Sequence, residues 1–275
     1  MNIYFSPCPN DTFCFHAMVS GLVDTEGLEF TPCLEDVEQL NNRVLTGDVP
    51  LCKISYHCFL HVAERYAMLP CGSALGFGNG PLLVARNAKT EIGPQSRIAI
   101  PGMHTTAAFL LALTYPQARQ TTPLLFSEIA PAVQAGDFDA GVLIHEGRFT
   151  YARHGLRLVA DLGACWEEKT GLPIPLGGIA VSRSLDPELS QKLARVLRRS
   201  IAYALEQPQA SRDYVRLHAQ EMDEQVIQNH IQLFVNDYTL DIGAQGRAAV
   251  ETMFATTHTS GPNSKNLFLS LHENI

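Results

Sequence analysis

Short apolar runs alternate with amphipathic stretches along the first two thirds of the chain, and this alternation predicts an α/β fold. Residues 2–5 read as a first strand. It stops at Ser-Pro-Cys-Pro, whose prolines forbid both a continued helix and a central strand. Asn10 or Asp11 then caps a helix that carries Phe13, Ala17 and Met18 and ends near Gly21. Residues 28–34 read as a second strand. Asp36 is the expected N-cap of a helix with Val37, Leu40, Val44 and Leu45 on one face, stopping at Gly47. A strand at 51–54 follows, with Ser55 where the next helix begins. Further strands are expected at 81–85 and 97–100, and Thr105 or Thr106 opens the apolar helix AAFLLAL. Ser127 caps a helix ending near Gly136. Residues 140–144 are again a strand, with His145 the first residue after it, and 177–182 are strand-like.

From Asp186 onward the pattern turns helical. Asp186-Pro187-Glu188 reads as a cap with proline at the first helical position. Leu189, Leu193, Val196, Leu197, Ile201 and Leu205 then keep helical spacing until Pro208 breaks it. A shorter helix runs to about Ala219, another starts near Asp223, and a last one covers 248–254. Two β/α blocks followed by a helical tail predict two lobes, each a mixed sheet flanked by helices. Residues 1–85 plus 179–275 form the large lobe and 86–178 the small one. The strands near 82–85 and 178–182 cross between them as a hinge. A cleft between two such lobes is the default small-molecule site.

Composition narrows the function. Of 275 residues, 46% are apolar, enough for a packed core, and 17% are charged, too few for long disorder. A net charge of -8 argues against nucleic acid or an anionic membrane surface as partner. A small anionic ligand still fits, because the local field in a cleft can oppose the net charge. The N-terminus shows no basic stretch followed by an apolar one, and no run of about 18 apolar residues occurs, so neither a signal peptide nor a membrane span is expected. The seven cysteines are scattered without a CxxC pair. They read as reduced thiols, and the expected compartment is the cytoplasm. The oligomeric state is left open.

Three polar segments fall at strand-to-helix turns: residues 6–12 with Asn10 and Asp11, then Lys53-Ile54-Ser55, then His104-Thr105-Thr106. Ligands of open α/β sheets bind outside the carboxyl ends of strands. Helix N-termini there offer free N–H groups and a positive dipole end to a carboxylate or phosphate, and Ser and Thr hydroxyls can donate to the same anion. Simple capping also accounts for Ser55, Thr105 and Ser127. His145, followed by Glu146, stands where a general base is wanted and titrates near neutrality when unperturbed; a structural histidine fits the same place. His57 and His61 are spaced i, i+4, but no HExxH glutamate and no third ligand accompany them, so no metal is expected. Gly76, Gly78 and Gly80 resemble a dinucleotide loop. Pro81 and a strand follow instead of a helix, so that reading fails. Cys8 near its turn reads as a structural thiol.

Longer motifs are more specific. SPCPNDTF (6–13), LEDVEQLN (34–41), KISY (53–56), PGMHTTAAFLL (101–111), IHEGRFTYARHGL (144–156), WEEKTGLPIPLG (166–177) and RRSIAYAL (198–205) run in order along the chain. Together they resemble the 1,4-dihydroxy-6-naphthoate synthase family of the futalosine route to menaquinone. The resemblance implies a type II periplasmic-binding-protein fold used for catalysis in the cytoplasm. It implies conversion of cyclic dehypoxanthinyl futalosine to 1,4-dihydroxy-6-naphthoate with release of a sugar-derived fragment, without metal or organic cofactor. It places the catalytic histidine at His145 and substrate-binding positions at Lys53, Ile54, Ser55, Thr105 and Thr106. The tail after Gly261 matches no motif, and no function is placed there. Competing readings are a chorismate dehydratase-like sister enzyme on the same fold and a cytosolic carboxylate-binding sensor.

Overall fold

The computed structural model describes residues 1–47, 49–220, 223–257 and 267–270. Along the chain, β1 (Asn2–Phe5), α1 (Pro9–Val19), β2 (Thr31–Leu34), α2 (Val37–Thr46), β3 (Leu51–Ser55) and α3 (Tyr56–Val62) come first, then β4 (Tyr66–Met68) and β5 (Ala74–Gly76). A second group holds β6 (Leu82–Ala85), β7 (Arg97–Ile100), α4 (Thr106–Thr114), β8 (Gln120–Pro123), α5 (Phe126–Ala135), β9 (Ala140–Leu143), α6 (Gly147–Thr150), β10 (Arg157–Asp161) and α7 (Leu162–Thr170). The chain then runs through β11 (Ile174–Ser182) into α8 (Pro187–Glu206), α9 (Arg212–His218), α10 (Glu224–Phe234), α11 (Asp237–Leu240) and α12 (Gly243–Thr256).

The strands form two mixed sheets. In the first the order is β2-β1-β3-β11-β4, with β5 also paired to β11; in the second it is β10-β6-β9-β7-β8. The two crossings between sheets therefore fall between β5 and β6 and between β10 and β11. The strand at 82–85 hydrogen-bonds to β9 and β10, wholly within the second sheet. The nine residues of β11 span the first sheet, antiparallel to β3 on one side and to β4 and β5 on the other. In each sheet the strands that lead toward the cleft run parallel: β1 beside β3, and β7 beside β9.

Capping explains where several helices begin. Asp36 accepts from the Glu38 N–H while the Gln39 side chain returns to the Asp36 N–H, a closed capping box. Asp186 caps α8 as its spacing predicts, and Asp223 caps α10 where a helix start was expected. Two expected caps are corrected. The first helix begins at Pro9 with Cys8 at the N-cap, two to three residues before the expected cap at Asn10 or Asp11, because proline suits the first helical position and frees both polar side chains for other bonds. Ser127 lies inside α5, which starts at Phe126 behind Leu125. The short strands β4, β5, β8 and β10 carry too little periodicity to be read from sequence. Phe268 bridges to Met68 beside β4, so the described part of the tail docks on the edge of the first sheet.

One apolar cluster lies inside the first lobe between β1, α1 and α8, around Ile3, Phe5, Phe15, Leu193 and Ile201. A smaller one lies inside the second, around Val84, Ile129 and Val142's neighbour Leu143. The third joins the two sheets, from Ile54, Tyr56 and Ala180 to Ile98, Leu110 and Trp166. No described helix is long and apolar enough to cross a membrane.

Candidate active site

The carboxyl ends of β1, β3, β7 and β9 all open onto one cleft, where ligand sites of open α/β sheets are found. It encloses about 690 Å³, its open mouth included. Asn10, Asp11, Lys53, Ile54, Ser55, Thr105, Thr106 and His145 all line it.

The floor is a buried ion pair. Lys53 Nζ lies 2.8 Å from Asp11 Oδ1 and also donates to the Gly72 carbonyl at 3.2 Å. Asp11 further accepts from the Ser6 hydroxyl (2.7 Å), the Ser6 N–H (3.3 Å) and Asn10 Nδ2 (2.8 Å). The carboxylate is therefore fully occupied, while the ammonium, with three donors, keeps one for the cleft. The Cys8 thiol, buried behind this turn, is pushed well above its ordinary pKa by desolvation and by the nearby carboxylates of Glu146 and Asp11, so it stays protonated and is no nucleophile.

Ser55 sits at the N-terminus of α3 but makes no capping bond. Asn41 from α2 holds it instead, donating to Ser55 Oγ at 3.2 Å and accepting the Ser55 N–H at 2.9 Å. Ser55 lines the cleft, and its hydroxyl retains a proton to donate. Thr105 does cap α4: its hydroxyl accepts from the Ala108 N–H and donates to the Gly102 carbonyl. The Thr106 hydroxyl donates to the Leu176 carbonyl at 2.8 Å and accepts the His57 N–H at 3.4 Å. Both threonine hydroxyls are thus engaged within the protein. What α4 offers to the cleft is the backbone N–H of Thr106 and Ala107 in its first turn, at the positive end of the helix dipole. Glu38, on α2, accepts the His104 N–H at 3.1 Å and so ties the first lobe to the loop before α4.

His145 follows β9 and Ile144, and the backbone turns left-handed there, with φ of 53°. Residues other than glycine take this conformation infrequently, and such positions gather at functional sites. Its ring packs edge-on to Phe126 at 5.0 Å and face-on to His230 at 5.9 Å. Its Nε2 is buried and has no hydrogen-bond partner among the described residues. Desolvation lowers its pKa to about 4; the Asp11 carboxylate works in the opposite direction and the Lys53 ammonium in the same one. The imidazole is therefore neutral, and a free base, throughout the physiological range.

Four further groups belong to this site that the sequence reading did not place there. His230, on α10, is fully buried and bonds Asn10 Oδ1 at 2.9 Å; its distance of 220 residues from Asn10 hides the contact. Asn41 was concealed within a helical pattern. Arg148 lines the cleft one turn beyond His145 and donates to the Gly78 carbonyl at 2.8 Å and to the Gly80 carbonyl. Asn79 lines the cleft from the crossing between β5 and β6. His57 and His61 stand with rings 5.5 Å apart and His104 within 5.9 Å of His61, yet among the described residues no group of three or more potential ligands is placed to hold a metal ion.

With this geometry in hand, known proteins offer a comparison. The profile of a family described as menaquinone biosynthesis matches residues 1–259. A Thermus thermophilus protein named 1,4-dihydroxy-6-naphthoate synthase is 46% identical over 272 residues, covering 98% of this chain and 99% of its own. A crystal structure from Archaeoglobus fulgidus superposes with a TM-score of 0.88 at 35% identity, over 93% of this chain and 96% of that one. A Candida albicans protein described as having the generic periplasmic binding protein fold superposes with a TM-score of 0.68 at 14% identity, over 100% and 98%. That last likeness concerns the fold alone.

Proposed function

The chain belongs to the menaquinone biosynthesis family, an enzyme family on the periplasmic-binding-protein fold, and from that membership we propose that it converts cyclic dehypoxanthinyl futalosine to 1,4-dihydroxy-6-naphthoate. The reaction is a lyase reaction that releases the sugar-derived fragment, and it takes place in the cytoplasm. The observation that carries the mechanism is the His145 Nε2, buried and unpartnered in the wall of a cleft whose other walls supply anion donors.

The substrate carries an aryl carboxylate. The N–H groups of Thr106 and Ala107 at the start of α4, the Ser55 hydroxyl and the remaining Lys53 proton are the donors that receive it. This revises the expected role of Thr105 and Thr106, whose hydroxyls shape the helix start and leave binding to the backbone. With the carboxylate fixed, the neutral His145 imidazole removes the proton next to a carbonyl and so opens the way to the aromatic diol. General base catalysis of this kind contributes on the order of 10²- to 10⁴-fold.

The test is turnover. Purified protein given cyclic dehypoxanthinyl futalosine is expected to yield the naphthoate by mass spectrometry. His145→Asn is expected to bind the substrate and to lose roughly 10²- to 10⁴-fold in kcat. Normal turnover by that variant would remove His145 from the mechanism. No product from the wild-type protein, with tight binding of some other carboxylate, would replace the enzyme by a sister activity or a sensor.

A further inference from the structure

The glycine-spaced segment from Gly76 to Gly80 leads into a strand and not into a helix, so its construction calls for an explanation other than a dinucleotide loop. It carries the chain from β5 to β6, between the two sheets. Asn79 in its middle is 2% exposed and lines the cleft. Neither its amide nitrogen nor its amide oxygen has a hydrogen-bond partner among the described residues. A carboxamide carries two donors and an acceptor of two lone pairs, and burying all of them unmade costs free energy that a structural residue would not incur. Leu or Ala would fill such a place better.

The surroundings hold this amide in position. A Cβ at Gly76 would stand 2.9 Å from Asn79 Nδ2, and one at Gly80 would stand 2.4 Å from the Gly163 Cα, so both glycines make the close approach possible. Arg148 binds the carbonyls on either side of Asn79, those of Gly78 and Gly80. Glu167 accepts the Gly78 N–H at 2.7 Å. The backbone on either side of Asn79 is thus held by side chains of the second lobe, and the close approach of Gly76 confines the amide itself.

We propose that Asn79 is a substrate-contacting residue whose carboxamide recognises the hydroxyl groups of the sugar-derived part of the substrate. This rests on the function proposed above. The pairing follows from charge and bond count. A carboxylate only accepts, so it would leave the Asn79 oxygen facing another oxygen. A hydroxyl both donates and accepts and can satisfy the two ends of the amide together. The carboxylate already has its own donors at α4, Ser55 and Lys53. The amide fixes the departing portion of the molecule relative to His145, and Arg148 acts as a positioning residue behind it.

Asn79→Ala tests the assignment with three measurements: kcat/KM on cyclic dehypoxanthinyl futalosine, the affinity for 1,4-dihydroxy-6-naphthoate, which lacks the sugar-derived part, and thermal stability. The expected result is a fall in kcat/KM of about 10-fold. Affinity for the naphthoate stays within about twofold and Tm is unchanged or higher, since an unsatisfied buried amide has been removed. Equal kcat/KM in variant and wild type would overturn the role of Asn79 while leaving the enzyme reading intact. So would a parallel loss of naphthoate affinity, or a lowered Tm that accounts for the lost activity. Absence of turnover in the wild-type protein would overturn the function and this assignment with it.

Discussion

The protonation of His145 gives the sharpest quantitative expectation. Burial of the ring takes its pKa from an ordinary 6.5 to about 4. A difference of that size corresponds to roughly 3 kcal/mol between the charged and neutral forms. The sign is that of a base kept deprotonated: the neutral, active form persists as the pH falls through 6.5 and is lost only near 4. At pH 5.5 a ring with a pKa of about 4 is about 97% neutral, whereas an unperturbed ring is only about 9% neutral. The ratio of kcat/KM at pH 5.5 to that at pH 7.5 therefore separates the two cases by about tenfold. Because kcat/KM reports the free enzyme, the experiment reads the ring in the cleft described above. Steady-state rates between pH 5 and 7.5, with circular dichroism to confirm folding, suffice, and they stay above the range in which the substrate carboxylate titrates. A near-flat profile is expected. A decline of about tenfold by pH 5.5 would refute the argument that burial sets this base. Lys53→Met provides an internal check: removing the cation that disfavours protonation moves the acid limb upward in pH.

The same substitution bears on stability. Lys53→Met leaves the Asp11 carboxylate, 4% exposed, without its countercharge. Breaking such a pair costs about 3–5 kcal/mol, or a drop in Tm of roughly 6–20 °C in a calorimetric scan. Adding Asp11→Asn should recover part of that loss, and a double variant no more stable than Lys53→Met alone would contradict a charge-based cause. Glu38→Ala removes the acceptor that holds the His104 N–H across the mouth of the cleft. Steady-state kinetics should show KM raised about tenfold with kcat little changed, since the variant alters how the lobes are held and not the base.

Much of this site was legible in the chain, and what was hidden follows a physical pattern. Positions 53–55, 105–106 and 145 could be named because each falls at a turn that follows or ends a short apolar run, and such a turn is a local property. Asp36 and Asp186 could be named as caps because each stands just before a run of helical spacing, and a helix was expected to start near Asp223, which caps it. Asn10 and Asp11 were marked as site residues, but their reading as caps failed because proline at position 9 begins the helix first and the two side chains turn to Lys53 and His230 instead. The cap made by the Thr105 hydroxyl could be read, because its partners are local, but the role of the Thr106 hydroxyl could not, because its partners are the carbonyl of Leu176 and the N–H of His57, on β11 and α3. His230 depends on a contact 220 residues away. Strands of three to five residues at 66–68, 74–76, 120–123 and 157–161 lack the length over which a period of two shows itself. Asn79 had a signal in the wrong category: its glycines are spaced like a phosphate loop, but their purpose is close backbone approach at a crossing.

The way the two lobes are joined bears on how the site works. Freely rocking lobes would bury their apolar side chains separately and meet through polar surfaces. Here one apolar cluster runs through α3, α4 and β11 and includes Tyr56, Ile98, Leu110 and Trp166 from both lobes. Separating the lobes along that side would expose these side chains at about 25 cal/mol for each Å² of apolar surface, which opposes a wide opening. Other contacts between the lobes are different in kind: Glu38 to the His104 N–H, and Arg153 to Asp223. Exposed or half-exposed polar bonds of this type are worth about 1 kcal/mol each and exchange readily with water. Substrate entry therefore falls to the polar side, by local opening against a fixed core. His145 and the start of α4 belong to the same lobe, so the placement of the base relative to those anion donors does not depend on an opening between lobes.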